Sequence, residues 1–152
     1  MGLTNKQALA AYHAVAEAFT KNEALPINEV NLVSYSIQDN QVRDYVLGHA
    51  PMTLGAEGAI EFITQILSLI EEDLRVPFYT LLSAFYYEAG DTELAVASLH
   101  TAQALNPNYS LANLFTRVIN AKWSAELFAE MRNELHPKVE ATFEVEKELA
   151  IA

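Results

Sequence analysis

A glycine–aspartate step at Gly90-Asp91 separates two apolar segments, Val76–Ala89 and Thr92–Leu105, each long enough for about four helical turns. Glycine reaches the left-handed backbone that ends a helix, and aspartate is a good cap for the next one. So short a link leaves the second helix one course, back along the first, and the spacing predicts an antiparallel hairpin. Ala95 and Ala102 lie on one face of the second segment, two turns apart, where small side chains let a neighbour approach closely. Tyr79, Leu82 and Tyr86 on the first segment supply the bulk that fills the gap. Asn106-Pro107 closes the unit.

The rest of the chain keeps the helical period. Leu9, Tyr12, Val15, Ala16 and Phe19 form an apolar stripe on a helix from Asn5 to Lys21, with Thr4 and Gln7 placed for a capping box. Ile27–Ile37 fits a short helix and in part a strand, and helix is preferred because its surroundings are helical. A helix over Asn40–His49, capped by Asp39, is expected to stop at Ala50-Pro51-Met52, since proline disfavours helix in the residue before it. Gly55–Glu72 is apolar over a wide arc and should be among the most buried segments. Two further helices are expected at Tyr109–Ala121 and Ser124–Leu135, with a break at His136-Pro137. The acidic tail, residues 138–152, reads as a last amphipathic helix or a frayed end.

Composition narrows the function classes. The 152 residues contain no cysteine, which removes disulfide frameworks, thiol catalysis and cysteine zinc sites, and fits a reducing compartment. Nine Lys and Arg against 20 Asp and Glu give a net charge of −11, which repels nucleic acid and anionic lipid at long range. No apolar run is long enough to span a bilayer, and the first residues do not form a signal peptide. A single all-α domain, cytoplasmic, with no nucleic-acid or membrane partner, is the expectation.

The hairpin resembles a tetratricopeptide repeat over residues 76–109. Tyr79, Leu82, Tyr86, the Gly90-Asp91 turn, Ala95, Leu99, Ala102 and Pro107 fall on that family's marked positions, and Ser83 stands where glycine is usual. A shift of one repeat length loses the pattern, with His136 and Asn133 where small and bulky residues belong. The resemblance implies a stack of helical hairpins, about seven or eight helices in all, with one well-formed unit. It also implies a concave peptide groove, whose partner-binding residues here would be Tyr79, Thr80, Tyr87, Asn113 and Arg117; in a domain this short, filling of that concavity by the chain's own neighbouring helices is the competing expectation.

Over about Ile37 to His136 the chain is also similar to the C-terminal helical part of an actinobacterial family, domain of unknown function 4192. The residues that carry this likeness are Arg43-Asp44, the Gly90-Asp91 turn, and Asn106-Pro107-Asn108-Tyr109-Ser110-Leu111-Ala112, with Asn106 replacing the usual Asp. Family members carry an α/β half upstream. The resemblance implies no activity.

Other constellations lead to bland readings. No two of His13, His49, His100 and His136 have the spacing of a helical zinc pair. His13 with Glu17, and His100, read as surface helix residues. Glu71, Glu72 and Asp73 point in different directions around a helix and cannot converge on one ion. Arg43-Asp44 reads as a structural ion pair, and Trp123 as a plug at the edge of the core. No phosphate-binding loop and no nucleophile elbow are present. No catalytic residue, metal site or cofactor is expected. The chain therefore reads as a non-enzymatic protein–protein interaction module preferring an apolar or mildly cationic peptide. The alternatives are an accessory domain of a larger protein and a homo-oligomer joined through the apolar stripe of Val139–Ile151.

Overall fold

The computed structural model describes residues 4–151, with side chains to Phe143. Among the described residues there are seven α-helices and no strand: α1 (Asn5–Thr20), α2 (Ile27–Ser36), α3 (Asn40–Leu67), α4 (Val76–Glu88), α5 (Thr92–Leu105), α6 (Ser110–Asn120) and α7 (Ala125–Ile151). The all-α class is as the periodicity required. A 3₁₀ turn at Glu72–Leu74 carries the acidic cluster, which is solvated. No helix among the described residues is long and apolar enough to cross a membrane.

Most boundaries follow local chemistry. The Thr4 hydroxyl accepts from the Gln7 amide at 3.1 Å while the Gln7 side chain accepts from the Thr4 amide at 3.0 Å, closing the capping box. Asp39 accepts from the Gln41 amide at 2.8 Å, Asp91 from that of Leu94 at 3.0 Å, and Ser124 from that of Leu127 at 3.0 Å. Gly90 has φ +86°, the left-handed stop that frees the chain to turn back. The two arms then pack closely. Ala95 and Ala102 are fully buried, and the Ser83 hydroxyl donates to the Ala95 carbonyl at 2.9 Å, so serine at the usual glycine position pins the two helices together.

Two expected breaks do not occur. α3 runs through Pro51 and turns four residues later at Gly55, whose φ and ψ of 75° and 165° no helix contains. Ala50 and Pro51 are buried, so packing holds them helical against the local preference, and the reorientation falls on the one residue without a Cβ penalty. α7 likewise continues through His136-Pro137. His136 is packed beneath α3 with only 2 % of its surface exposed, and that anchoring keeps the proline within one helix. The fourth predicted segment also ends early, at Leu67 rather than Glu72.

The core runs continuously from α1 to α7. Tyr12, Phe62, Phe78 and Phe85 are its largest fully buried side chains. α3 packs on both α4 and α7. From the tail, Val139 and Phe143 pack against the core within the chain, with the Phe143 ring 5.5 Å from that of Tyr45. The backbone of residues 144–151 is helical; the side chains of Val145, Leu149 and Ile151, proposed for an oligomer stripe, lie outside the described residues.

Candidate functional site

Where α3, α6 and α7 meet they leave a cleft of about 480 Å³. Its lining follows helical spacing on each wall: Arg43, Asp44, Leu47 and Gly48 from α3, then Leu111, Leu114 and Phe115 from α6. α7 adds Phe128, Met131, Arg132, Leu135, His136, Lys138, Val139 and Thr142. Eight of these side chains are apolar, and the polar ones sit at defined points. Leu114 and Leu135 stand at the cleft while 43 % and 48 % exposed.

Two ion pairs fix the walls. Arg43 lies 2.9 Å from Asp44 and donates to Asn40 Oδ1 at 3.1 Å and to the Tyr109 hydroxyl at 3.3 Å. Its guanidinium carbon is 5.7 Å from the Tyr109 ring centroid. The bond from Arg43 to Tyr109 thus ties α3 to the entrance of α6. On the opposite side Arg132 makes a bidentate pair with Glu88, at 2.8 and 2.7 Å, with the side chains only 7 % and 5 % exposed. Its remaining amine donates to the Gly48 carbonyl at 3.1 Å and to Asn133 at 2.8 Å. This fork joins α4, α3 and α7. Its partners are far apart in sequence, and no local pattern announces it.

His136 is the unusual polar group of the cleft. It is buried, and among the described residues neither ring nitrogen has a hydrogen-bond partner; the Glu140 carboxylate stands 3.6 Å from Nε2. A Cβ on Gly48 would come within 2.3 Å of its Nδ1, so the imidazole occupies the space that glycine leaves. Burial lowers its pKa, with Glu140 raising it and Arg132 lowering it further.

Behind His136 lies a histidine–tyrosine cluster that sequence spacing did not reveal. The Tyr12 hydroxyl and His49 Nδ1 share a hydrogen bond of 2.9 Å, as do the Tyr45 hydroxyl and His13 Nε2. The rings of His13 and His49 are 4.9 Å apart, and those of His49 and His136 6.2 Å. Burial, with His13 and His136 nearby, holds His49 down to about 4, and burial also lowers His13. Among the described residues no three His, Cys, Asp or Glu are placed to hold a metal ion. His13 is exposed, as expected of a surface helix residue, and it also bonds Tyr45, while Glu17 pairs with Lys21 at 2.7 Å. His100 is exposed, as expected. Tyr12 and His13 are neighbours on α1 whereas Tyr45 and His49 lie one turn apart on α3, so no common spacing announced the cluster.

The five residues proposed for a groove are not brought together. Thr80 is buried and its hydroxyl donates to the Val76 carbonyl at 3.0 Å. Tyr87 is buried with its hydroxyl donating to the Trp123 carbonyl, and Tyr79 packs half-buried against the core. Asn113 accepts from Gln103 at 3.1 Å and donates to the Pro107 carbonyl at 3.3 Å, while Arg117 is exposed on α6. The inner side of the hairpin is filled by the chain itself: the Phe128 ring of α7 sits 5.6 Å from both Tyr87 and Phe115. Trp123 packs at the core edge as expected.

No curated protein and no solved structure matches the chain. A family model does, over residues 3–125, a stretch that starts upstream of the likeness seen in the sequence and covers α1 to α6. Two walls of the cleft, α3 and α6, therefore fall within the match, and α7 begins as it ends. With most of its length matched in this way, the chain belongs to the family described as Domain of unknown function (DUF4192).

Proposed function

We propose that the chain is a non-enzymatic protein–protein interaction module, and that the cleft between α3, α6 and α7 receives an apolar segment of its partner. The observation that carries this reading is the pair of half-exposed leucines, Leu114 and Leu135, facing an apolar concavity from two different helices. Large apolar side chains grouped at a concave site mark a contact surface more often than scattered ones do. The ion pairs at the cleft support the same reading, because Arg43 and Arg132 are engaged by carboxylates of the chain and fix the walls in place. The tetratricopeptide-like hairpin fits as a scaffold that backs the site. The working compartment is the cytoplasm, in keeping with the absence of cysteine. If the chain is instead an accessory domain of a larger protein, the same cleft would serve a segment of that protein.

The test compares partners captured from the source lysate by the natural chain and by Leu114→Asp/Leu135→Asp. Both positions are well exposed, so the fold tolerates the change. Partners held by the natural chain and lost by the variant are expected. Identical capture by both ends the proposal.

A further inference from the structure

The charge available at the cleft differs in sign from that of the protein. The chain has nine cations against 20 carboxylates, and three of the cations, Arg43, Arg132 and Lys138, line the cleft; Arg43 is paired with Asp44 and Arg132 with Glu88, so among the described lining residues the charge left to a partner is that of Lys138. Lys138 is exposed and makes no ion pair among the described residues. His136 adds a buried imidazole with both nitrogens unbonded, a hydrogen-bonding group that the fold itself leaves unanswered.

We infer that the cleft is built for an acidic apolar peptide: a helical segment that inserts leucine-like anchors among Leu47, Leu114 and Leu135 and lays a carboxylate against Lys138. This rests on the reading of the cleft as the contact surface and reverses the cationic preference that net charge alone implies. Helix-in-groove recognition uses anchors at i, i+3 and i+4, and the flanking charges choose among competing partners. Overall charge and rim charge act at different ranges. At about 0.15 M salt the screening length is about 8 Å, so the −11 of the whole chain fades while contacts at the cleft persist. The preference for acid should therefore be clear at physiological salt and blunted at low salt, where long-range repulsion opposes approach.

The experiment is fluorescence anisotropy at physiological salt with two labelled peptides of about 14 residues. Both carry leucines at i, i+3, i+4 and i+7; the flanking positions are glutamate in one and lysine in the other. The glutamate peptide is expected to bind roughly tenfold or more tightly than the lysine peptide. Lys138→Glu, at an exposed position, should erase that preference, and Leu114→Asp should weaken both peptides. Equal binding of the two peptides, still lost in Leu114→Asp, overturns the acidic preference and leaves the cleft as contact surface. Binding of neither peptide, or binding indifferent to Leu114→Asp, overturns both.

Discussion

The α4–α5 hairpin and the seam between α3 and α7 are both pairs of packed helices, but they cohere by different means. The hairpin is local. Its turn is set by Gly90, its second arm is capped by Asp91, and its contact is made close by Ala95 and Ala102, all within one short stretch. The seam joins Gly48 to Arg132 across 84 positions and draws in Glu88 of α4, 44 positions from Arg132. There the close approach comes from Gly48 under His136, and the polar contact comes from Arg132 reaching Glu88 and the Gly48 carbonyl. The hairpin is held by packing with one buried hydroxyl bond, Ser83 to Ala95. The seam is held by a buried ion pair beside an unsatisfied imidazole. Dry, small-residue contacts stabilise whatever their surroundings, whereas a buried charge is favourable only while its partner stays in place.

That contrast is sharpest in Glu88→Ala. Removing the carboxylate leaves the Arg132 guanidinium buried and unpaired, with an expected loss of about 3–5 kcal/mol in chemical denaturation. Replacing both residues, as Glu88→Leu/Arg132→Met, should recover much of it. If the single variant is as stable as the natural chain, the seam is not held by its ion pair.

A smaller effect is expected in the hairpin. Gly90→Ala meets no atom within 4 Å, so its only cost is the left-handed backbone, about 1–2 kcal/mol. The drop should appear in the melting temperature with the helical circular dichroism unchanged. A variant that loses helix content would show that the turn, rather than the packing, organises the hairpin.

The mildest probe is pH. His49 is held down to about 4, and His13 and His136 are also lowered, so the folded protein binds fewer protons than the unfolded chain below about 6.5. Stability is thus full above that value and is lost as pH falls toward 4. After allowance for the partial exposure of His49, the loss is on the order of 1 kcal/mol. A melting temperature flat from pH 7 to about 4.5 would contradict the packing of these rings. His49→Phe, which cannot titrate, should flatten the profile without affecting Gly90→Ala.

The same division explains what could be read in advance. The caps at Thr4, Asp39 and Asp91 were all legible because a cap acts over three residues. The breaks at Pro51 and His136-Pro137 were misplaced because proline's local preference was outweighed by burial of Ala50 and His136, which depends on helices remote in sequence. That the side of Tyr87 and Thr80 is filled by the chain itself was one of two readings of the sequence, and nothing near them shows that Phe128 of α7 is the residue that covers it. The cleft itself assembles residues from three helices, and the exposed Lys138 at its edge is invisible in an overall charge of −11.

Sequence by itself determined the all-α class, the hairpin with its turn, most helix starts and the kinship with the family, because periodicity, capping and small-residue spacing are short-range properties of the chain. Tertiary structure alone decided which prolines bend the backbone, which histidines meet, where the buried ion pair lies and where the surface is concave. Those depend on groups brought within a few ångströms by the folding of the whole, and packing energy between distant helices exceeds the local preferences that a sequence displays.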